Sequence, residues 1–289
     1  MSERSDLLAV LAAATLWGTT GTAATFAPPG TPAIAVGAAA MGIGGMLLFG
    51  SRAQGSLAVL RDPAHRPLVL LGGLCLVAYA LTFYAAMARA GVALGVTLAI
   101  GSAPVLATLY DRILGGRPVP ATSLLAISLA IAGAALVGWS RLDLGDRAAT
   151  EVLIGSALGL CAGVCWAGYS IAGAALVRTG ADCDAVIGAI FGLGSLVLVP
   201  LALLRAGPLL AGLGGLAVLA YLALVPMLCG YSLFGRGLRS AGAGLLTTLA
   251  LIEVAVAAIL AQLVANQSLP AEGWAGIGMV GIAVLLLVG

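Results

Sequence analysis

The feature that most constrains this chain recurs along its whole length: long, unbroken apolar runs with almost no charge inside them. Crossing the hydrocarbon core as a helix takes about 20 apolar residues. Ten runs meet that need, near 6–27, 32–50, 67–88, 92–110, 121–139, 152–175, 185–204, 213–234, 241–264 and 271–289. They are continuous rather than alternating, and in lipid only helices and closed barrels satisfy the backbone. An all-α membrane protein with ten transmembrane helices is therefore expected. Composition agrees: 62% of the 289 residues are hydrophobic and only 8% are charged, against roughly 25% charged in a soluble domain.

The breaks between runs have the right chemistry. Pro28, Pro29, Gly30 and Pro32 end the first; Arg61, Asp62, Pro63, His65, Arg66 and Pro67 separate the second from the third. Gly115, Gly116, Arg117, Pro118 and Pro120 follow the fourth, and Asp182, Cys183 and Asp184 make a later turn. The stretch from Arg141 to Glu151 is the most polar and divides the chain. The first run, Leu7 to Ala27, exceeds the roughly 7–15 apolar residues of a cleaved secretory signal, so it is expected to remain as a helix.

Several function classes drop out. A net charge of +2 carries no nucleic-acid signature. Five cysteines sit mostly in apolar runs, and Cys161 and Cys165 lack a second pair or a nearby histidine. His65 is the only histidine. Neither a metal site nor a disulfide framework follows. No phosphate loop, nucleophile elbow or zinc-protease motif is present. The chain reads as neither an enzyme nor a nucleotide-driven pump, and no cofactor is expected.

Arginine placement sets an expected orientation. With the N-terminus inside, the inner segments hold nine of the thirteen arginines: Arg4, Arg52, Arg61, Arg66, Arg112, Arg117, Arg178, Arg236 and Arg239. The outer ones hold Arg89, Arg141, Arg147 and Arg205. Positive charge collects on the cytoplasmic side, so both termini are expected there, with Trp139 and Trp274 at the outer interface. All basic residues are arginine, and alanine and glycine are abundant. That points to a GC-rich bacterial source; for a multi-pass helical protein of such a source the inner membrane is the expected location.

The chain also repeats itself. Ala-Arg89-Ala-Gly-Val-Ala-Leu-Gly-Val-Thr97 resembles Leu-Arg239-Ser-Ala-Gly-Ala-Gly-Leu-Leu-Thr247, an offset of about 150 that Pro120 and Pro270 share. Trp17 and Trp166 match at one residue less. Residues 1–140 and 150–289 thus read as duplicated five-helix units. Because five is odd, the second copy enters the membrane from the opposite side. Inverted repeats of this kind are a common plan among secondary transporters.

At this point the chain resembles the EamA type of the drug/metabolite transporter superfamily. The carriers are the two halves, Leu-Trp17-Gly-Thr-Thr-Gly, Phe83-Tyr84-Ala-Ala-Met-Ala-Arg-Ala-Gly, and Ser-Ala-Pro104-Val. Within that family it is most similar to the YddG-like exporters of aromatic and other hydrophobic amino acids. The resemblance implies alternating access around a central cavity, with a small-molecule substrate and the lipid bilayer as partners. One departure concerns the Gly-Glu that many members carry near the ends of helices four and nine. Gly116-Arg117 and Asn266-Gln267 stand there instead, so no role carries over to those positions.

Glu253 is the most informative single residue. It stands midway along helix nine, between Leu-Ala-Leu-Ile and Val-Ala-Val. A carboxyl at that depth costs on the order of 2.5–3.5 kcal/mol on insertion scales, so it is expected to face the bundle interior. There it serves as a proton site, as a partner for a substrate ammonium, or as a hydrogen-bond partner for backbone freed by a kink. Trp17 and Trp166 form the second signal, since both lie mid-helix rather than at the interface where Trp collects. Thr20 and Gly21 share the face of Trp17; Tyr169 and Ser170 share that of Trp166; Tyr79, Thr82 and Phe83 on helix three and Tyr231 on helix eight follow the same spacing. Together they would wall an aromatic cavity suited to apolar rings and cations, or they pack between helices. Thr97, Thr247 and Thr248 occupy matching repeat positions, where threonine often bonds its own backbone.

Pro104 and Pro226 interrupt helices four and eight and would act as a hinge or gate, or merely as kinks. The spacings Gly155/Gly159/Gly163, Gly91/Gly95 and Gly188/Gly192 allow close helix approach, either within a monomer or across a dimer. The expected activity is outward transport of small hydrophobic or aromatic amino acids, with protons as a candidate coupling ion. The alternatives are a proton-coupled exporter of lipophilic cations and a membrane scaffold without transport.

Overall fold

In a computed structural model, residues 3–113, 116, 119–142, 148–265 and 268–288 are described, without the side chains of Glu3 and Ala265. Gly115, Arg117, Pro118, Arg147, Asn266 and Gln267 lie outside the described residues. No strand occurs among the described residues. Ten helices are long and apolar enough to cross a membrane. They are α1 (Arg4–Ala24), α2 (Ala33–Ser51), α3 (Arg66–Ala90), α4 (Val92–Ile113) and α5 (Ala121–Ser140), then α6 (Ala149–Arg178), α7 (Cys183–Arg205), α8 (Leu213–Ser240), α9 (Ala243–Val264) and α10 (Ala271–Val288).

Local chemistry explains the boundaries. Pro67 opens α3 in the first helical turn, where a missing N–H removes no helical bond. A single residue, Gly91, links α3 to α4 at φ 90°. That left-handed backbone is open to glycine and strained for other residues. Asp182 caps α7 by accepting the Ala185 N–H at 3.0 Å. The first helix begins ahead of the apolar run and takes in Arg4 and Asp6. A further helix, Ala53–Arg61, occupies what reads as a polar break in the sequence. It buries Ser56 and Val59 and packs on α7.

The helices pair in a pattern that survives exchange of the two halves. α2 packs on α7, α4 on α9 and α5 on α10, while α3 on α6 mirrors α8 on α1. This is the arrangement two inverted five-helix repeats produce. The glycine stripes serve these internal contacts. A Cβ at Gly155 would lie 2.5 Å from the Ala90 backbone nitrogen, and one at Gly163 2.7 Å from the Ala99 carbonyl. Gly188 and Gly192 receive Ser56 and Phe49 in the same way.

Candidate functional site

The two proline positions behave differently. Pro104 is buried within an unbroken α4, so the interruption expected there is absent. In α8 the segment Ala223–Gly230, which contains Pro226, is π-helical. At its end the Tyr231 N–H turns to the carbonyls of Met227 and Leu228. The Pro226 carbonyl takes another donor, the indole N–H of Trp17, at 2.9 Å. Gly230 makes room for that indole, since a Cβ there would lie 2.7 Å from its nitrogen. Such π segments are frequent at functional sites.

A second break was not legible in the sequence. α9 stops at Leu249 and restarts at Ile252. Across the gap Leu251, Glu253 and Val254 donate to carbonyls three residues back, at 3.0, 3.0 and 3.1 Å. Glu253 therefore sits in the first turn of the second half-helix.

The π segment and this break face one cavity of about 560 Å³, its open mouth included. Of the residues singled out in the sequence, Trp17, Thr20, Tyr79, Phe83, Trp166, Pro226, Tyr231 and Glu253 line it. Tyr84, Ala40, Met41, Leu222 and Met227 complete the wall. Four of the expected positions lie elsewhere. Gly21 is exposed, and a Cβ there would meet nothing. The Thr82 hydroxyl donates to its own helix at Ala78, 2.7 Å away. Tyr169 and Ser170 are buried beside the cavity rather than on it. Thr247 and Thr248 also bond their own helix, at 2.8 and 2.7 Å. Tyr84 reaches the wall because Gly37 on α2 leaves its ring the necessary space.

The aromatic rings form a continuous set. Trp17 lies 4.7 Å from Tyr231 between centroids, and Tyr79 stacks on Phe83 at 5.3 Å. Tyr79 also reaches Trp166 at 6.4 Å. Toward the end of the bundle that holds the N-terminus, Tyr169, Phe191 and Phe234 are fully buried. The Tyr169 and Tyr231 hydroxyls meet there at 2.9 Å.

Two polar groups in the lining are left available. The Trp166 indole nitrogen is buried without a hydrogen-bond partner. Glu253 is half-buried, and no hydrogen bond to its carboxylate occurs among the described residues. Buried donors without partners are uncommon and call for an explanation. Among the described residues, no basic side chain lines the cavity.

The ends of the bundle differ in how the halves are tied. Around the N-terminal end, Asp6 accepts from Ser240, Arg52 pairs with Asp184 at 3.5 Å, and His65 meets Thr179 at 2.9 Å. Asp111 accepts the Gly244 N–H at 2.7 Å. At the opposite end stand Arg89 with Glu151 at 3.0 Å, Tyr221 with Thr19 at 2.8 Å, and Arg141 with the Ala258 carbonyl at 3.0 Å.

A multi-pass helical bundle of two inverted halves, with a broken-helix cavity between them, defines a membrane carrier. The chain belongs to the EamA-like transporter family, whose model matches residues 4–139 and again 153–289. It is a membrane transporter with a small-molecule substrate, not an enzyme. It is 30% identical over 281 residues to the "Uncharacterized transporter YwfM" of Bacillus subtilis (strain 168), covering 97% of this chain and 92% of that protein. A solved crystal structure superposes with a TM-score of 0.82 at 18% identity, covering 99% of this chain and 96% of that one. The likeness to that structure concerns the fold alone.

Proposed function

We propose that this transporter exports small hydrophobic or aromatic amino acids and related metabolites by alternating access through the central cavity. The observation that carries this reading is the pairing of available groups inside an aromatic wall. Glu253 offers a carboxylate to an ammonium, and Trp166 offers a buried N–H to a substrate oxygen. The rings of Trp17, Tyr79, Phe83 and Tyr231 suit an apolar or aromatic side chain. Residues 1–140 and 150–289 act as the two units that rock against each other. The arginine distribution and the exposure of Trp139 and Trp274, 71% and 48%, support termini on the cytoplasmic side of a bacterial inner membrane. The internal use of the glycine stripes supports a monomer as the working unit.

The test is counterflow into proteoliposomes with a panel of amino acids. Accumulation of Phe, Trp, Met or Thr, competed by its analogues, is the expected result. Failure of every amino acid to move or compete removes the substrate assignment. A second reading, proton-coupled export of lipophilic cations, draws on the lining itself: among the described residues it holds one carboxylate and no basic group. Quaternary ammonium counterflow driven by a pH gradient, with no amino-acid flux, would select that reading.

A further inference from the structure

A second cavity lies at the N-terminal end of the bundle, where α4 crosses the start of α9. Its space measures about 620 Å³, open mouth included. Thr108 and Asp111 of α4 and Ser123 and Ile127 of α5 line it, with Ser240 and Leu245 from the other half. Thr108 and Asp111 are three residues apart and share one helix face. Both are buried, at 9% and 4% exposure.

Asp111 uses one carboxylate oxygen to accept the Gly244 N–H. Its other oxygen, Oδ1, is buried without a partner, and so is the Thr108 hydroxyl. Gly242 and Gly244 keep α9 close to both, since a Cβ at either would collide with Asp111 or Thr108. A buried carboxylate oxygen without a donor is costly, and here it borders open space. Among the described residues, no basic side chain lines that space. The missing complement is a cation that brings its own N–H donors.

We propose that this cavity is a separate binding site for a primary alkylammonium, distinct from the central cavity that holds Glu253. Asp111 Oδ1 and the Thr108 hydroxyl receive the ammonium, and Ile127, Leu245, Val119 and Pro120 surround the alkyl chain. A hard metal ion would want six or more oxygen ligands, or near-octahedral geometry with its waters. The apolar half of this wall does not supply them.

The experiment is thermal unfolding of the purified full-length protein in detergent, with n-butylammonium as probe. Sodium and tetramethylammonium at equal concentration are the controls. At about ten times Kd the amine is expected to raise Tm by roughly 3–5 °C, with smaller shifts for sodium and for tetramethylammonium, which has no N–H. Asp111→Asn keeps an acceptor for Gly244 and should abolish the shift. Glu253→Gln should leave it intact. Ser123→Leu, which puts a larger apolar side chain into the cavity wall and leaves Asp111 itself unchanged, should also abolish it, and it carries the test if Asp111→Asn fails to fold. The proposal is overturned if Asp111→Asn or Ser123→Leu retains the full shift. It is equally overturned if Glu253→Gln alone removes it, or if sodium or tetramethylammonium matches the amine.

Discussion

Trp17 and Trp166 occupy matching places in the two repeats, yet they carry different duties. The Trp17 indole is committed to the Pro226 carbonyl in the opposite half, so it ties α1 to the π-helical turn of α8. The Trp166 indole faces the same cavity with its N–H unused. α4 and α9 differ in parallel: α4 runs unbroken through Pro104, whereas α9 breaks just before Glu253 with no proline at all. Inverted symmetry thus builds the frame, and the unpartnered polar groups of the cavity sit where that symmetry is broken. One half supplies a fixed strut; the other supplies free groups.

The strongest way to break this comparison is Glu253→Gln. It removes the cavity's one carboxylate while nearly preserving its shape. Losing one partner of a desolvated charge interaction costs about 2 kcal/mol or more, roughly 30-fold in substrate affinity. Transport of ammonium-bearing substrates should fall by that factor, and any component driven by a pH gradient should vanish. Unchanged, gradient-independent flux would show that the broken α9 is a structural kink only.

Next in size is Gly230→Ala. The added methyl would lie 2.7 Å from the Trp17 nitrogen, forcing the indole off the Pro226 carbonyl. Overpacking of this kind costs typically 1–3 kcal/mol. Thermal melting should report it as a lowered Tm. A wild-type Tm would mean that the indole is not held as a strut.

How much of this was legible beforehand varies with the physics involved. The ten spans were, because a bilayer demands about 20 apolar residues from each crossing regardless of context. The repeat was too, through Arg89 and Arg239 and the two tryptophans. The helix at Ala53–Arg61 was not, because nine mixed residues give no span signal and its burial on α7 is tertiary. The α9 break was equally hidden. Ala250 and Leu251 are ordinary helix formers, yet both lie in the turn. Tyr84 was missed because its access to the cavity depends on Gly37 in another helix. The expected site residues that lie off the cavity do so for reasons the spacing does not carry. Helical spacing names a face, but Thr82 satisfies itself on its own backbone and Tyr169 is covered by Phe191, at 5.9 Å between centroids.

The two tryptophans themselves offer the smaller and sharper tests. Trp166→Phe keeps an aromatic wall and deletes an N–H with no protein partner. Stability should hold, while the KM of a substrate whose oxygen it meets should rise by the worth of one hydrogen bond. That is about 0.5–1.5 kcal/mol, or roughly 2- to 12-fold. Equilibrium binding by the purified protein would show the change directly. A KM identical to wild type would remove Trp166 from substrate recognition.

Trp17→Phe should give the opposite signature and the smallest effect. The phenyl ring can keep the contacts to Tyr231 and Phe234, whose centroids lie 4.7 and 5.4 Å from the indole. What is lost is one interhelical hydrogen bond, and such bonds in membranes average about 0.6 kcal/mol. The freed Pro226 carbonyl borders the cavity, where water can replace the indole, and that keeps the cost near this low figure. Thermal unfolding should therefore show a small drop in Tm with KM unchanged. The pair of substitutions separates strut from ligand. If Trp17→Phe shifts KM as much as Trp166→Phe does, the two halves share the recognition role equally, and the asymmetry drawn from their hydrogen bonds has no functional counterpart.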